Sequence, residues 1–533
     1  MTAEPDQTGA NSVPPGSDSG STVPHRPATS TATSHELRDA TNDSRWKPTR
    51  RTLSRGTHRG ARVRTSTGGG SGNMSTKQPN IVFILCDNVG WGDFAIYGGG
   101  TPTPNIDRLA NEGIRFNNYT VEAQCTPTRS AILTGRQSVR SGTYKVPFPG
   151  EGKSGLTPWE YTTADLLSDA GYATGLFGKW HLGDDEGRLP TDQGFDEWWG
   201  YRNSADEAGW TSYAAFNAIA EARGIQAPQI WEGRKGGEQH AVRELDIEVR
   251  PLLDELIVDK TVDFIKRNAN GTRPFYTYVG LSHLHPPERV HPDFDQTSPD
   301  RLGMLADLIA EMDHRVGQIV DCIEAEGISE NTLIVFSSDN AAALADLDIM
   351  GQSNGPFRGG FMTPPWEGSM RVPAMVRWPG HVPAGVVTEQ MLSAHDWYKT
   401  FATLAGAADR VPTDRPMDGI DASEFLLGTS EETGRESLVF FGPDGSLMSC
   451  KWRNVKAVFR YCDGIDQPIV EPQFPMFFDI GSDPGERYNL FDYKLDMGWM
   501  FAAVLGAVAE FKASMAMYPN ITPGQEFDGY PPA

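Results

Sequence analysis

Apolar residues are set along this chain in short continuous runs separated by helical patterns. Asn80–Leu85 (NIVFIL) is an uninterrupted β-rich run, as expected of a strand buried on both faces of a parallel sheet. Three more follow, Ala173–Phe177, Phe275–Leu281 (FYTYVGL) and Thr332–Ser338 (TLIVFSS). Thr103 is a good N-cap and Pro104 a good first-turn residue for a helix leading into NIDRLANEGIRF. Another helix ends over Leu166–Ala170 before Gly171, and a third occupies Ala394–Leu404. Strands alternating with helices predict an α/β domain, a large and mostly parallel mixed sheet sandwiched by helices. From about Ser437 the runs shorten (LVFF, NVKAVFRY, MFFDI), which predicts a small C-terminal domain with an antiparallel sheet and a helix. The organisation expected is an extension over 1–75, an α/β domain over 76–435 and the small α+β domain over 436–533.

In open sheets of this kind ligands bind beyond the carboxyl ends of the strands. All four runs end in polar or ionisable residues: Asp87-Asn88, Lys179 with His181, His283 with His285, and Asp339-Asn340. Asp and Asn favour strand-terminating turns in any case, and His283 taken alone reads as a packed histidine. Four such endings together exceed what turn chemistry explains. The two Asp-Asn pairs supply oxygen ligands and two negative charges, a set suited to a hard cation, Ca²⁺ or Mg²⁺, rather than zinc. Separately, Cys125 precedes a short helix with Arg129 one turn on. A helix N-terminus beside an arginine is an anion site, and it is expected to lower a thiol pKa.

Composition narrows the class. The 533 residues carry 47 Lys plus Arg against 70 Asp plus Glu, a net charge of −23, and ten of the bases precede residue 76. So acidic a body is repelled by phosphate backbones, and nucleic acid is not an expected partner. Mean hydropathy is −0.43, and no apolar run reaches membrane-spanning length, so no membrane partner is expected. The longest candidate, Met497–Ala509, reads as a buried helix. Five scattered cysteines form neither a disulfide framework nor a zinc site. Residues 1–75 are too poor in apolar side chains to offset ordering entropy and are expected to be disordered. Met74 is a candidate true start of the protein. With no apolar signal segment in view, the cytoplasm is the expected location.

Cys125-Thr126-Pro127-Thr128-Arg129-Ser130, followed by AILTGR, matches the C-x-P-x-R sulfatase signature. The match continues in order through NIVFILCDNVGWGD, TPNIDRLANEGIRF, GLFGKWHLG, DQGFDEWWG, SHLHPP, TLIVFSSDN, WEGSMRVPAMVRWPG and FFDIGSDPGERYNL, from Pro79 to Leu490. The chain thus resembles the type I, formylglycine-dependent sulfatases of the arylsulfatase-like group, in the alkaline phosphatase superfamily. The resemblance implies an alkaline-phosphatase-like fold and hydrolysis of an aryl or carbohydrate sulfate monoester. It implies that a formylglycine-generating enzyme oxidises Cys125 to formylglycine, whose hydrate is the nucleophile. Asp87, Asn88, Asp339 and Asn340 match metal-ligand positions usually filled by calcium. Arg129 would hold the formylglycine diol, Lys179 and His181 contact diol and sulfate oxygens, and His285 protonates the leaving oxygen. Ser204 falls at a sulfate-contacting position.

Three positions depart from the pattern. Asn88 stands where a second aspartate is usual, and Ala341 where glycine is common. A lysine that reaches the sulfate is replaced around Phe361-Met362, which leaves two readings open: Arg358, a candidate substrate contact, or Arg289 substitutes for it, or the pocket favours a different or bulkier substrate. The tryptophans Trp198, Trp199, Trp366 and Trp378 are expected in the core or the cleft wall. Two alternatives stay open at this point: a phosphonate monoester or phosphodiester hydrolase of the same superfamily, and a non-catalytic sulfate-binding relative. The oligomeric state is not legible.

Overall fold

The four apolar runs become four neighbouring parallel strands, which is why their ends meet. The computed structural model describes residues 78–148, 153–298, 303–493 and 495–531. The extension over 1–75 and the candidate start at Met74 lie outside the described residues. The strands are β1 (Asn80–Cys86), β2 (Ile114–Phe116), β3 (Tyr119–Thr120), β4 (Ala173–Lys179), β5 (Glu197–Tyr201), β6 (Gln229–Arg234), β7 (His240–Glu244) and β8 (Phe275–Gly280). They continue with β9 (Thr332–Ser338), β10 (Ala374–Arg377), β11 (Val386–Thr388), β12 (Leu392–Ser393), β13 (Ser437–Phe441), β14 (Leu447–Trp452), β15 (Val455–Val458) and β16 (Met476–Asp479).

Ten of them form one mixed sheet in the order β11-β2-β10-β9-β1-β8-β4-β5-β6-β7. Its centre, β9-β1-β8-β4-β5, is parallel throughout, and antiparallel pairs flank it on both sides. Alternate residues of the central strands feed two separate cores. Ile81, Phe83, Leu85, Leu333 and Val335 face one helical layer, while Val82, Ile84, Ile334 and Phe336 face the other. Burial on both faces explains why these strands read as unbroken apolar runs.

The helix expected over NIDRLANEGIRF covers only Pro104–Asn111, and its end becomes β2. Gly113 lies against the Val376 carbonyl so closely that a Cβ there would sit 1.9 Å from the oxygen. This close approach lets β2 pair with β10 and ends the helical run.

The C-terminal region holds the antiparallel sheet β13-β14-β15-β16. The helix Met500–Met517 lays Met500, Val504 and Val508 against it, beside Val439, Phe441 and Phe477. The expectation of a buried helix is corrected here. Only that stripe is buried, and Leu505 and Met517 are exposed. By length and composition this helix is also apolar enough to cross a membrane, contrary to the reading of the runs. A buried cluster of charges joins this sheet to the short helix Glu367–Met370. Glu367 receives Lys451 of β14 at 2.9 Å, Lys456 of β15 at 3.2 Å and Arg371, and Glu486 pairs with Lys456 at 2.9 Å.

Candidate active site

The order β9-β1-β8-β4 brings Asp339-Asn340, Asp87-Asn88, His283/His285 and Lys179 side by side at one edge. Cys125 arrives from the other direction as the first residue of the wholly buried helix Cys125–Thr134. Thr126 Oγ1 donates to the His181 carbonyl at 2.8 Å, tying that helix to the loop after β4. Cys125 Sγ lies 3.3 Å from Lys179 Nζ and 3.6 Å from Asp87 Oδ1. Lys179 Nζ donates to Asp87 Oδ2 at 2.7 Å and to Ser204 Oγ at 3.3 Å. Ser204 Oγ in turn lies 3.1 Å from His285 Nε2. His285 Nδ1 is 2.8 Å from the Pro286 carbonyl, an acceptor that places the proton on Nδ1 and leaves Nε2 facing Ser204.

Arg129 lies beneath this chain of contacts. It donates twice to Asp339 Oδ2, at 2.7 and 3.0 Å, and to the Lys179 carbonyl at 3.0 Å, and stands 3.6 Å from Asp87. Asn88, His181 and Met362 all hold left-handed backbone, with φ of 57°, 59° and 60°. Three non-glycine residues so held around one site store strain that the surrounding packing must sustain.

The charges set protonation states. Burial works against ionisation of Asp87, but the charges of Lys179, His285 and Arg129 hold its carboxyl well below the usual range. Asp339 is instead pushed up to about 6, by burial and by the charge of Asp87. Burial, with Lys179 and Arg129 nearby, keeps the His181 imidazole far below its ordinary pKa, and burial and Lys179 lower that of His285. The Cys125 thiol is the reverse of the expectation. Burial and the charges of Asp339 and Asp87 raise it well above normal, outweighing Lys179 and Arg129. An unmodified Cys125 is therefore a protonated thiol and a poor nucleophile.

The two Asp-Asn pairs face each other: Asn340 Nδ2 donates to Asn88 Oδ1. Asp339 Oδ1 and Asn340 Oδ1 are fully buried and have no hydrogen-bond partner among the described residues. Buried oxygens left this way are costly unless something positive meets them. An all-oxygen donor set with two carboxyls fits a hard divalent ion.

Above Cys125 opens a cavity of about 410 Å³. His181, Ser204 and His285 line its reacting end, and Phe148, Trp210, Phe361, Met362 and Ile465 line much of the rest. A larger cavity of about 590 Å³ lies at β5–β7 and holds none of these residues. Arg358 is corrected as a substrate contact. Its guanidinium pairs with Asp463 at 3.0 Å and stacks on Trp366 at 3.6 Å, facing a separate cleft. Nor does Arg289 line the cavity; it is exposed. Trp198, Trp199, Trp366 and Trp378 are all buried.

Other contributors carried no readable motif. Arg250 donates to Ser282 Oγ at 2.8 Å and to the His285 carbonyl at 2.7 Å, and Asp254 accepts from Ser282 N at 2.6 Å. These two residues of adjoining helical turns clamp the loop that presents His285. Their i, i+4 spacing was visible, but nothing tied it to a loop some thirty residues on. Asp93 braces the Asn88 turn by accepting from Gly90 N and Ser353 N, at 2.7 and 2.6 Å.

A cysteine is thus held between a cation and a carboxylate at the edge of a parallel sheet covered on both faces. Comparison with known proteins gives the class. The sulfatase family model matches residues 79–407. The chain is 34% identical over 443 residues to N-acetylgalactosamine-6-sulfatase of Canis lupus familiaris, covering 77% of this chain and 81% of the relative. It is 33% identical over 496 residues to arylsulfatase G of Rattus norvegicus, covering 85% and 92%. The solved structure of PsFucS1 sulfatase from Pseudoalteromonas sp. superposes with a TM-score of 0.77 at 30% identity, covering 84% of this chain and 92% of that one. The chain belongs to the sulfatase family: it is an arylsulfatase-like sulfuric ester hydrolase of the alkaline phosphatase superfamily. The family generally uses a formylglycine and a divalent metal. The cytoplasmic expectation is overturned by these relatives, since N-acetylgalactosamine-6-sulfatase and arylsulfatase G are lysosomal or secreted enzymes.

Proposed function

We propose that position 125, as formylglycine, is the nucleophile of sulfate monoester hydrolysis in this protein. The observation that carries the reading is the position of Cys125 Sγ, 3.3 Å from Lys179 Nζ and 3.6 Å from Asp87, at the floor of a cavity. Formylglycine would supply a hydrated aldehyde, a nucleophile from which sulfate can afterwards be released. Cys125 is only 2% exposed. A formylglycine-generating enzyme must therefore reach Cys125-Thr126-Pro127-Thr128-Arg129 before its helix is packed.

The residues around it divide the work. Asp87, Asn88, Asp339 and Asn340 would hold a divalent cation, Ca²⁺ or Mg²⁺, which supplies positive charge against the sulfate oxygens. Arg129 orients Asp339 through its paired hydrogen bonds and offsets part of the charge on the acidic pair. Lys179 faces both position 125 and Ser204, and stabilises charge that shifts onto the sulfate oxygens. His181 stays neutral and offers Nδ1, which has no hydrogen-bond partner among the described residues, within the same pocket. In its doubly protonated form His285, with Nδ1–H held by the Pro286 carbonyl, gives the Nε2 proton to the leaving oxygen.

Substitution tests this assignment. Cys125→Ala is expected to abolish hydrolysis of aryl sulfates, with the fold kept by circular dichroism. Hydrolysis by that variant at the parent rate would overturn it.

A further inference from the structure

The sulfur of Cys125, a carboxylate oxygen of Asp87 and a ring nitrogen of His285 lie within 4.8 Å of one another. They come from three separate places, the end of β1, the start of a helix and the loop after β8, so no ligand spacing announces them in the sequence. Cys125 Sγ is 3.6 Å from Asp87 Oδ1. Two ligands on one tetrahedral ion stand about that far apart when the bonds are about 2.3 Å to sulfur and about 2.0 Å to oxygen. This set differs in kind from the oxygen set of the Asp-Asn pairs. Thiolate and imidazole together favour a softer ion, Zn²⁺ above all.

Each ligand is already held in a form that binds. His285 gives its Nδ1 proton to the Pro286 carbonyl at 2.8 Å and turns the Nε2 lone pair towards Ser204. A carbonyl behind the far nitrogen is the usual support of a metal-binding histidine. Lys179 takes Asp87 by Oδ2 at 2.7 Å, and Arg129 bonds Asp339, which leaves Asp87 Oδ1 facing the sulfur. Lys179 Nζ, 3.3 Å from Cys125 Sγ, is the group an incoming ion displaces, and Ser204 Oγ at 3.3 Å already receives it on the far side. Charge agrees with geometry. Asp87, Asp339 and a Cys125 thiolate carry three negative charges against the two positive ones of Lys179 and Arg129. The cavity of about 410 Å³ reaches both Cys125 and His285, which supplies the entry path.

We propose that the chain with Cys125 unmodified is a Zn²⁺ site, with Cys125 Sγ, His285 Nε2 and Asp87 Oδ1 as its protein ligands and the fourth position open to the cavity. Binding breaks the Cys125 S–H bond, forms a zinc–sulfur bond and releases one proton to solvent, with nothing oxidised or reduced. Conversion of Cys125 to formylglycine removes the sulfur, so zinc binding here and maturation exclude each other. The inference concerns the unmodified chain and does not depend on the sulfatase reaction assigned above.

Co²⁺ is the probe, added to the full chain made without a formylglycine-generating enzyme, with cysteine at position 125 confirmed by peptide mass. Asp87 also belongs to the hard-cation set, so the protein is first stripped with a chelator. The expected result is one Co²⁺ per chain, with a thiolate-to-cobalt charge-transfer band and the strong visible bands of a tetrahedral ion, both lost on addition of Zn²⁺. Cys125→Ser and His285→Ala are each expected to weaken Zn²⁺ by more than the roughly 10–100-fold that loss of a supporting residue costs. Protein that carries formylglycine, the same in every other residue, should show no charge-transfer band, a comparison that needs no variant to fold. The proposal is overturned if unmodified protein lacks the band, if neither variant weakens Zn²⁺, or if the formylglycine form binds Zn²⁺ as tightly. None of these readouts is hydrolysis, so failure here leaves the sulfatase reading standing, and failure of that reading leaves the zinc site standing.

Discussion

Lys179 Nζ and Asp87 Oδ2 meet at 2.7 Å, both fully buried, at the ends of strands β4 and β1. A buried pair of this kind gives up hydration on both partners, and its net effect on stability is small or unfavourable compared with apolar packing. Its value lies in placement. The aspartate holds the ammonium 3.3 Å from position 125, and the ammonium keeps the aspartate ionised beside the second Asp-Asn pair.

Lys179→Met removes that preorganised charge. The expected loss is about 10²–10³ in kcat, in line with other single charge contacts to a developing oxyanion. Steady-state kinetics on an aryl sulfate checks it; a loss below about threefold would show that Lys179 does not face the reacting group.

His285→Ala is expected to depend on the leaving group. Sulfate esters of weakly acidic alcohols lose about 10²–10⁴ in kcat/KM, and esters of acidic phenols much less, because good leaving groups need no proton. The pH profile carries the same signature. The His285 pKa lies below its usual value, so the acid form is lost as pH rises through that pKa and kcat/KM falls towards neutral pH. The variant should lack this limb, and a profile unchanged by the substitution would count against the role.

Metal removal should show in stability as well as in rate. Asp339 Oδ1 and Asn340 Oδ1 are buried without hydrogen-bond partners among the described residues, so an ion that meets them binds the folded state alone. Thermal unfolding is expected to fall on treatment with a chelator and to recover with Ca²⁺ or Mg²⁺. In Asp339→Ala the chelator should have no further effect. A parent protein indifferent to both would contradict the assignment.

Arg250→Met tests the clamp on the His285 loop. The Arg250 guanidinium bonds Ser282 and the His285 carbonyl and lies 3.8 Å from Asp254. Displacing a catalytic group by about 1 Å costs on the order of 10²-fold. The drop should fall mainly on kcat, and most heavily on the weakly acidic leaving groups that need His285, a pattern general destabilisation would not produce.

Lys451 provides a stability test away from the chemistry. Burial and the nearby Arg371 charge lower its pKa to about 7 against 10.5. Between those values the unfolded chain holds the proton and the folded one does not, so this lysine makes stability rise with pH over that window. Relative to Lys451→Met, the parent should gain up to about 1.4 kcal/mol per pH unit from pH 7 to 9 by denaturant unfolding. Parallel curves would contradict the shift.

Much of the fold was legible because the central strands are buried on both faces and so announce themselves as NIVFIL, FYTYVGL and TLIVFSS. Their pairing as neighbours was not written in any one of them, yet the chemistry at their ends pointed to one edge. Arg358 misled because proximity in sequence to Phe361 and Met362 says nothing about direction. The Gly359–Gly360 turn, together with the pull of Trp366 and Asp463, sends its guanidinium elsewhere. The thiol of Cys125 misled because burial, with the charges of Asp339 and Asp87, raises its pKa past what Lys179 and Arg129 take back, and neither effect is written in the local motif. The C-terminal helix read as buried from its composition, while only one stripe of it, Met500, Val504 and Val508, finds the small sheet. Asp206, Glu207 and Trp210 gave no signal at all; only the cavity collects them.

The most direct measurement is the mass of the peptide spanning Cys125, taken from protein whose aryl sulfate hydrolysis has been measured on the same sample. Formylglycine at position 125, in proportion to the activity across preparations, is the result expected. Full activity in protein whose Cys125 is wholly unmodified would contradict the nucleophile proposed for this site.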